Sequence, residues 1–480
     1  MYLGLDLGTS GLKGILIDER QEILTEASAP LTVSRPHPGW SEQSPADWIS
    51  AAETVMDALA AHQSLSAVRG IGLSGQMHGA TLLDASDEVL RPCILWNDTR
   101  AHEEAAELDG DPIFRRLTGN IVFPGFTAPK LLWLSRHEPR VFESVAMVLL
   151  PKDYLRLWLT GTYVAEMSDA AGTSWLDTGA RDWSDELLAA TGLERAQMPE
   201  LVEGTAPSGV LRPELARRWG LPDNVVVAGG GGDNAATGVG MGVVHAGQAF
   251  VSLGTSGVLF AASDGYRPDA ATAVHTFCHA LPDTWHQMGV ILAATDALNW
   301  FAGIAGADAA ALTADLGPLH RPGRTVFLPY LGGERTPLND AAIRGAFIGL
   351  EHATDRNAAT RAVLEGVTFA LRDCRDALAA TGTRIDHLLA TGGGARSDYW
   401  LAAIATALDT PVSRPVAGDF GAAFGAARLA LMAVTGAGPD SAATPPAIAQ
   451  TFAPDRDLAP AFDDGHARFR DAQTAIKGLA

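Results

Sequence analysis

The sequence predicts an α/β protein of two domains built on a duplicated unit, with a ligand cleft between the copies. Three observations predict it. At 480 residues the chain exceeds what one hydrophobic core ordinarily organises. Leu7-Gly-Thr-Ser-Gly11 recurs half a chain later as Leu253-Gly-Thr-Ser-Gly257, each time between two apolar runs, which marks two copies of one supersecondary unit. Finally, strand-like runs feed glycine clusters and then helix-like runs, at Val225–Gly238 and again at Ile385–Leu408. The expected domains are residues 1–244 and 245–480.

Composition bounds the partners. Hydrophobic residues make up 47% and charged residues 19%, the balance of a soluble globular protein. The net charge of −21 argues against nucleic acid and anionic membrane, since phosphate backbones need a basic face. It leaves room for a small phosphorylated ligand held by local donors and a metal. Cys93, Cys278 and Cys374 are scattered, without CxxC or metal spacing, and fit a reducing cytosol. No signal peptide is legible after Met1, and no apolar run is long enough to span a bilayer.

In chain order, Tyr2–Leu7 reads as a strand that turns at Gly8-Thr-Ser-Gly11 and returns through Lys13–Asp18, with a third strand at Glu22–Ala29. The first turn is glycine-rich and hydroxylic, so its N–H groups and hydroxyls suit a phosphate, although it is not a Walker loop. The two copies differ: Asp6 stands in the first where Ser252 stands in the second, so one half alone offers a carboxylate to a hydrated Mg²⁺. Ser44-Pro45 opens a helix. Val68–Leu73 reads as a strand ending at the Ser74–Gly79 turn, which carries Gln76, Met77 and His78, and Ala80–Asp84 as another strand. Residues on such turns reach ligands more often than core residues do, though a lone His is usually structural. Leu95–Arg100 is a polar and aromatic cluster at a strand end, with Asp98 placed to cap the next helix. Pro124–Leu134 and Pro151–Leu159 read as Pro-initiated scaffold helices. Further helices are expected at Ile291–Ile304 and Thr354–Ala380, the latter broken at Gly366. Ala437–Pro446 is loose and leads to a peripheral terminal helix.

Val225-Val-Val-Ala followed by four glycines delivers Asp233 and Asn234 to a strand end beside bare backbone. Helix capping and presentation of a carboxylate to a bound hydroxyl both fit Asp233 at this point. The Gly392-Gly-Gly-Ala-Arg-Ser397 turn suits a flat ring or a phosphate lying against backbone.

Taken together, these residues resemble the FGGY carbohydrate kinases, of the actin-like ATPase (ribonuclease H-like) fold. The matching segments are Gly4–Gly11, Gly75–Gly79, Ile94–Asp98, Phe126–Trp133, Gly231–Asn234, Ser252–Gly257 and Gly392–Ser397, in the family's order and across nearly the whole chain. Gln76-Met-His-Gly with Trp96-Asn-Asp is similar to the branch that acts on xylulose. One departure is a fourth glycine before Asp233 where three are expected; another is Asn357, slightly early for the C-terminal signature. The resemblance implies ATP-dependent phosphorylation of D-xylulose to D-xylulose 5-phosphate, in D-xylose catabolism feeding the pentose phosphate pathway. It implies Asp233 as general base and Asp6 as holder of Mg²⁺ through water. Thr9, Lys13 and Thr255 would hold the phosphates, and Gly393, Gly394 and Arg396 would lie against adenosine. Met77, His78 and Asp233 would bind the sugar, with Asn234 and Asp98 as lesser candidates. The implied partners are the sugar and ATP, the implied location is cytoplasmic, and the oligomeric state stays open, a homodimer included. A kinase for D-ribulose, L-ribulose or D-arabinitol is the alternative within the class. A non-catalytic sugar sensor or a filament-forming actin-like protein is the alternative outside it.

Overall fold

The computed structural model describes residues 1–314 and 316–477. Two seven-stranded mixed sheets dominate it, and they repeat one pattern. In the first, β1 (Tyr2–Leu7), β2 (Gly11–Ile17), β3 (Ile23–Pro30), β4 (Gly70–Gly75), β5 (Pro207–Val210) and β6 (Val226–Ala228) run in the order β5-β6-β4-β1-β2-β3, with β7 (Gly231–Gly232) also on β4. The second comprises β8 (Gly247–Leu253), β9 (Gly257–Ser263), β10 (His275–Cys278), β11 (Trp285–Ile291), β12 (Ile385–Thr391), β13 (Val412–Pro415) and β14 (Ile448–Phe452). Its order is β10-β11-β9-β8-β12-β13-β14. In each, the opening strand pairs antiparallel with the next and parallel with the strand arriving after a crossover: β1 with β2 and β4, β8 with β9 and β12.

The period of two assigns the faces of β1. Leu3, Leu5 and Leu7 enter a core with Trp48, Ala52, Val55 and Leu59 of the Pro45–His62 helix. Tyr2, Gly4 and Asp6 point the other way. There the Ala422–Thr435 helix lies so close that a Cβ on Gly4 would overlap the Ala423 carbonyl, and one on Gly72 the Ala426 carbonyl. The same helix meets the Asp233–Gly240 helix at Gly425, which faces the Ala236 carbonyl. Residues 422–435 thus pack on the first sheet.

Several expected elements shift. The strand expected at Val68–Leu73 is Gly70–Gly75, because Val68 and Arg69 form the approach to it. The helix expected from Ile291 begins at Thr295, since Ile291 still pairs with Gly257 in the sheet. The helix expected from Pro124 begins at Thr127. Arg356–Ala380 runs unbroken through Gly366, where the missing side chain lets the helix touch the Phe327 carbonyl. The terminal helix, Ala459–Ile476, is not peripheral: Phe462 and Phe469 are fully buried in the second core. Strand β14 was not expected.

Candidate active site

The register of the first sheet decides which residues meet. Leu7 lies opposite Gly75, and Gly232 opposite Gly75 on the far side, so β1, β4 and β7 end at one level. The Gly8–Gly11 turn, the Gln76-Met77-His78 turn and Asp233 therefore emerge along one sheet edge, at the carboxyl ends of parallel strands, where ligands of open α/β sheets bind. The fourth glycine has a use. Gly230 adopts φ +79°, and a Cβ there would overlap the Leu73 backbone; Gly229 similarly approaches the Glu203 carbonyl.

Asp233 occupies the first position of the Asp233–Gly240 helix, and Gly232 is the N-cap. Its Oδ1 accepts from the N–H and the side-chain amide of Asn234, at 2.7 and 2.9 Å, leaving Oδ2 without a protein partner among the described residues. Burial raises its pKa to about 6, against the opposing pull of the Asn234 bonds. Asp6 is half-buried, its Oδ1 enclosed without a partner, and burial together with the charge of Asp233 pushes its pKa up to about 7. Two carboxylates, each with an oxygen that has no hydrogen-bond partner, thus lie close enough for their charges to interact, an arrangement that suits a hard cation and a proton acceptor. No group of three or more His, Cys, Asp or Glu residues forms a metal cage among the described residues.

His78 holds a left-handed backbone, φ 70°. Its carbonyl accepts from Thr127 Oγ1 at 3.2 Å and from the buried Lys130 ammonium at 2.7 Å, and its ring stacks on Phe126 at 4.5 Å. Nδ1 lies 2.6 Å from the Gly172 carbonyl, so Nδ1 carries the proton and Nε2 is an acceptor open to the site. Burial and the charges of Lys130 and Arg335 lower its pKa to about 3, keeping the ring neutral. Met77 is buried against Gly232, which joins this turn to the strand that leads into Asp233.

Asp98 requires a correction. It neither caps the following helix, whose N-cap is Ala101, nor faces the site. Its Oδ1 accepts from Arg100 N and Nε, both at 2.9 Å; its Oδ2 accepts from Ser41 N at 2.6 Å and Arg100 Nη2 at 2.7 Å. With two donors on each oxygen and 1% exposure, it has nothing left to offer a sugar. Thr9 Oγ1 donates to Gln76 Oε1 at 2.8 Å and accepts from Trp96 Nε1, so it ties the Gly8–Gly11 turn to the Gln76-Met77-His78 turn. Lys13 bridges Glu26, at 3.0 Å, and Asp419, the latter from the loop before the Ala422–Thr435 helix. Thr255 is exposed at the second turn, and its carbonyl accepts the N–H groups of Ala294 and Asp296. Gly393, Gly394 and Arg396 line a cleft of about 790 Å³ with Leu298, Asn299 and Tyr399.

Sequence reasoning missed the buried ionic group beneath Asp233. Arg156 donates to the carbonyls of Ala228 and Gly229, at 2.6 and 2.5 Å, and Ser168 Oγ accepts the Gly232 N–H at 3.0 Å. Lys152 joins Asp153, Asp169 and Glu166 at 2.7, 3.1 and 3.4 Å, all fully buried. The Pro-initiated segment Pro151–Leu159 is therefore more than scaffold: it carries the cations that fix the glycine strand.

The model of the FGGY family of carbohydrate kinases, N-terminal domain, matches residues 1–240, and that of the C-terminal domain matches residues 249–434. The chain is 51% identical over 436 residues to the xylulose kinase of Escherichia coli (strain K12), covering 90% of each. It is 62% identical to the crystal structure of a xyloylose kinase from Brucella ovis, over 100% of both chains, with a TM-score of 0.98. A gluconate kinase from Lactobacillus acidophilus shares the fold at 24% identity and a TM-score of 0.93, covering 99% of this chain and 98% of that one.

Proposed function

The chain belongs to the FGGY family of carbohydrate kinases, and on that premise we propose that it transfers the γ-phosphoryl group of ATP to the terminal hydroxyl of D-xylulose. The observation that carries the reading is the open Oδ2 of Asp233, a carboxylate with raised pKa beside the Met77-His78 turn. The hydroxyl proton passes to that oxygen as the new O–P bond forms; the bond from the γ-phosphorus to the bridging oxygen breaks, and ADP departs with the electron pair. A positioned base of this kind contributes roughly 10²–10⁴-fold, and positioning and charge neutralisation supply the rest.

Asp6 is the residue that would hold Mg²⁺, supported by its unpartnered buried oxygen, and the ion would neutralise phosphate charge. His78 Nε2 accepts from a sugar hydroxyl, and Met77 covers the apolar edge. The two Gly-Thr-Ser-Gly turns flank the phosphates, Lys13 leaving Asp419 for them. An exposed pair of this kind is worth about 0–1 kcal/mol, which a polyphosphate outweighs. Gly393, Gly394 and Arg396 support adenosine. A cytoplasmic setting agrees with three free, buried cysteines. The fold alone does not choose the sugar, since the gluconate kinase has it too. The test is ADP release with D-xylulose, D-ribulose, L-ribulose, D-arabinitol, glycerol and D-gluconate. D-Xylulose is expected to give the highest kcat/KM, and a preference for glycerol or gluconate would overturn the assignment.

A further inference from the structure

One cation beside the sugar turn, Arg335, makes no salt bridge among the described residues. Arg335 belongs to the second half of the chain, after the Val326–Leu328 strand, yet its guanidinium lies over Phe123 of the first half, 4.6 Å from the ring centroid. Its one side-chain hydrogen bond among the described residues is Nη1 to His275 Nε2, at 3.4 Å. The adjacent Glu334 attracts it through space but makes no ion pair with it: Glu334 Oε1 accepts the N–H groups of Leu292 and Arg335, at 2.9 and 2.8 Å. Structural arginines here are treated differently. Arg100 meets Asp98 and Glu42, and Arg156 reaches Ser208, Asp153 and three backbone carbonyls. A guanidinium carries five donors, and those of Arg335 without a protein partner are accessible rather than sealed off, so a ligand in the cleft can take them. Burial holds the Arg335 pKa below its ordinary value.

The surroundings point these donors toward the sugar. Phe123 touches Phe126 at 5.6 Å, and Phe126 carries the stacked His78. His275 lies 5.4 Å from Phe123, and Phe277 lies 6.4 Å from His78. His78 therefore presents an acceptor, and Arg335 presents donors, on one aromatic wall built from both halves.

We propose that Arg335 is the second half's contribution to the sugar site: it donates to a substrate oxygen beside the hydroxyl bound by His78 and so helps set which sugar is taken. The proposal rests on the sugar-kinase reading. The test is steady-state kinetics of the full chain and of Arg335→Gln and Arg335→Lys, on the acceptor that the wild type prefers in the panel above. A hydrogen bond to a charged group predicts a rise of about 10- to 100-fold in the sugar KM of Arg335→Gln, a smaller rise for Arg335→Lys, and an ATP KM within twofold of wild type. A sugar KM within twofold overturns the inference, as does an equal rise in both KM values, which would mark a packing role. A wild type that phosphorylates no sugar refutes the kinase reading, and this inference falls with it.

Discussion

Asp233→Asn separates basicity from geometry. The amide oxygen can keep both Asn234 bonds of the present Oδ1, so the side chain stays in place while its free end loses the lone pair that accepts the proton. Loss of a general base costs roughly 10²–10⁴ in turnover, about 2.7–5.5 kcal/mol of barrier. Sugar and ATP KM values are expected to change within a few-fold. Wild-type kcat/KM should rise with pH through about 6, where the carboxyl ionises, and the mutant's residual rate should lack that step. Stability supplies a second readout. The folded pKa lies above the unfolded one, so the native state binds more protons between them, and stability falls as pH rises from about 4 to 6. A shift from 3.8 to about 6 sets a ceiling of about 3 kcal/mol, which partial exposure reduces. Asp233→Asn is therefore expected to be about 1–2 kcal/mol more stable than wild type at pH 8, and no more stable at pH 4. Coupled ADP release and urea unfolding at both pH values measure this. Near-normal turnover in the mutant would refute the base, and a pH-independent stability difference would refute the buried carboxylate.

Asp6→Ala should raise the Mg²⁺ concentration needed for half-maximal rate and depress turnover far more than Ser252→Ala; Mg²⁺ titrations that shift equally would sink the asymmetry between the two turns. His78→Ala should raise the D-xylulose KM by about 5- to 150-fold, the cost of about 1–3 kcal/mol for an unpaired hydroxyl, with the ATP KM nearly unchanged; a loss falling on ATP would put the residue in the wrong part of the cleft. Gly72→Ala should destabilise by about 3 kcal/mol or more, because its Cβ meets the unyielding Ala426 carbonyl. Gly303→Ala, in an open helical position, should instead stabilise by about 0.5–1 kcal/mol, and thermal melts of the two variants should move in opposite directions.

What the sequence made legible was local. The duplicated Gly-Thr-Ser-Gly turns, the valine strand and the glycines before Asp233 each carry their conformation in a handful of adjacent residues. Their convergence was not legible, because it depends on Gly232 pairing with Gly75, a register between segments far apart in the chain. Asp98 was misplaced for a similar reason. A carboxylate ahead of a helix looks like a cap, and only the fold shows that Arg100 and Ser41 consume all its acceptors. The Pro-led helix at Pro151–Thr160 reads as apolar scaffold because Lys152, Asp153 and Arg156 look like an exposed polar face. Buried charges of this kind become recognisable once the counter-charges Glu166 and Asp169 are brought beside them.

The two sheets share a topology, and the packing shows how tightly the two halves are joined. On the first sheet the face that carries Asp6 is covered by Ala422–Thr435, a helix from the second half, admitted only because Gly4 and Gly72 lack side chains. That helix is preceded by the loop bearing Asp419, partner of Lys13 at the first turn. It crosses the helix that begins with Asp233 at Gly425. One element from the second half thus touches the strand of Asp6, the hairpin of Lys13 and the helix of Asp233. It is one of several contacts between the halves, alongside the hydrogen bonds of Asn120 with Thr276 and of Arg181 with Leu281 and Thr284. A backbone-to-backbone contact has little slack, because a carbonyl cannot yield as a long side chain can. Displacement of the Ala422–Thr435 helix is therefore felt together by the strand of Asp6 and by the helix that opens with Asp233.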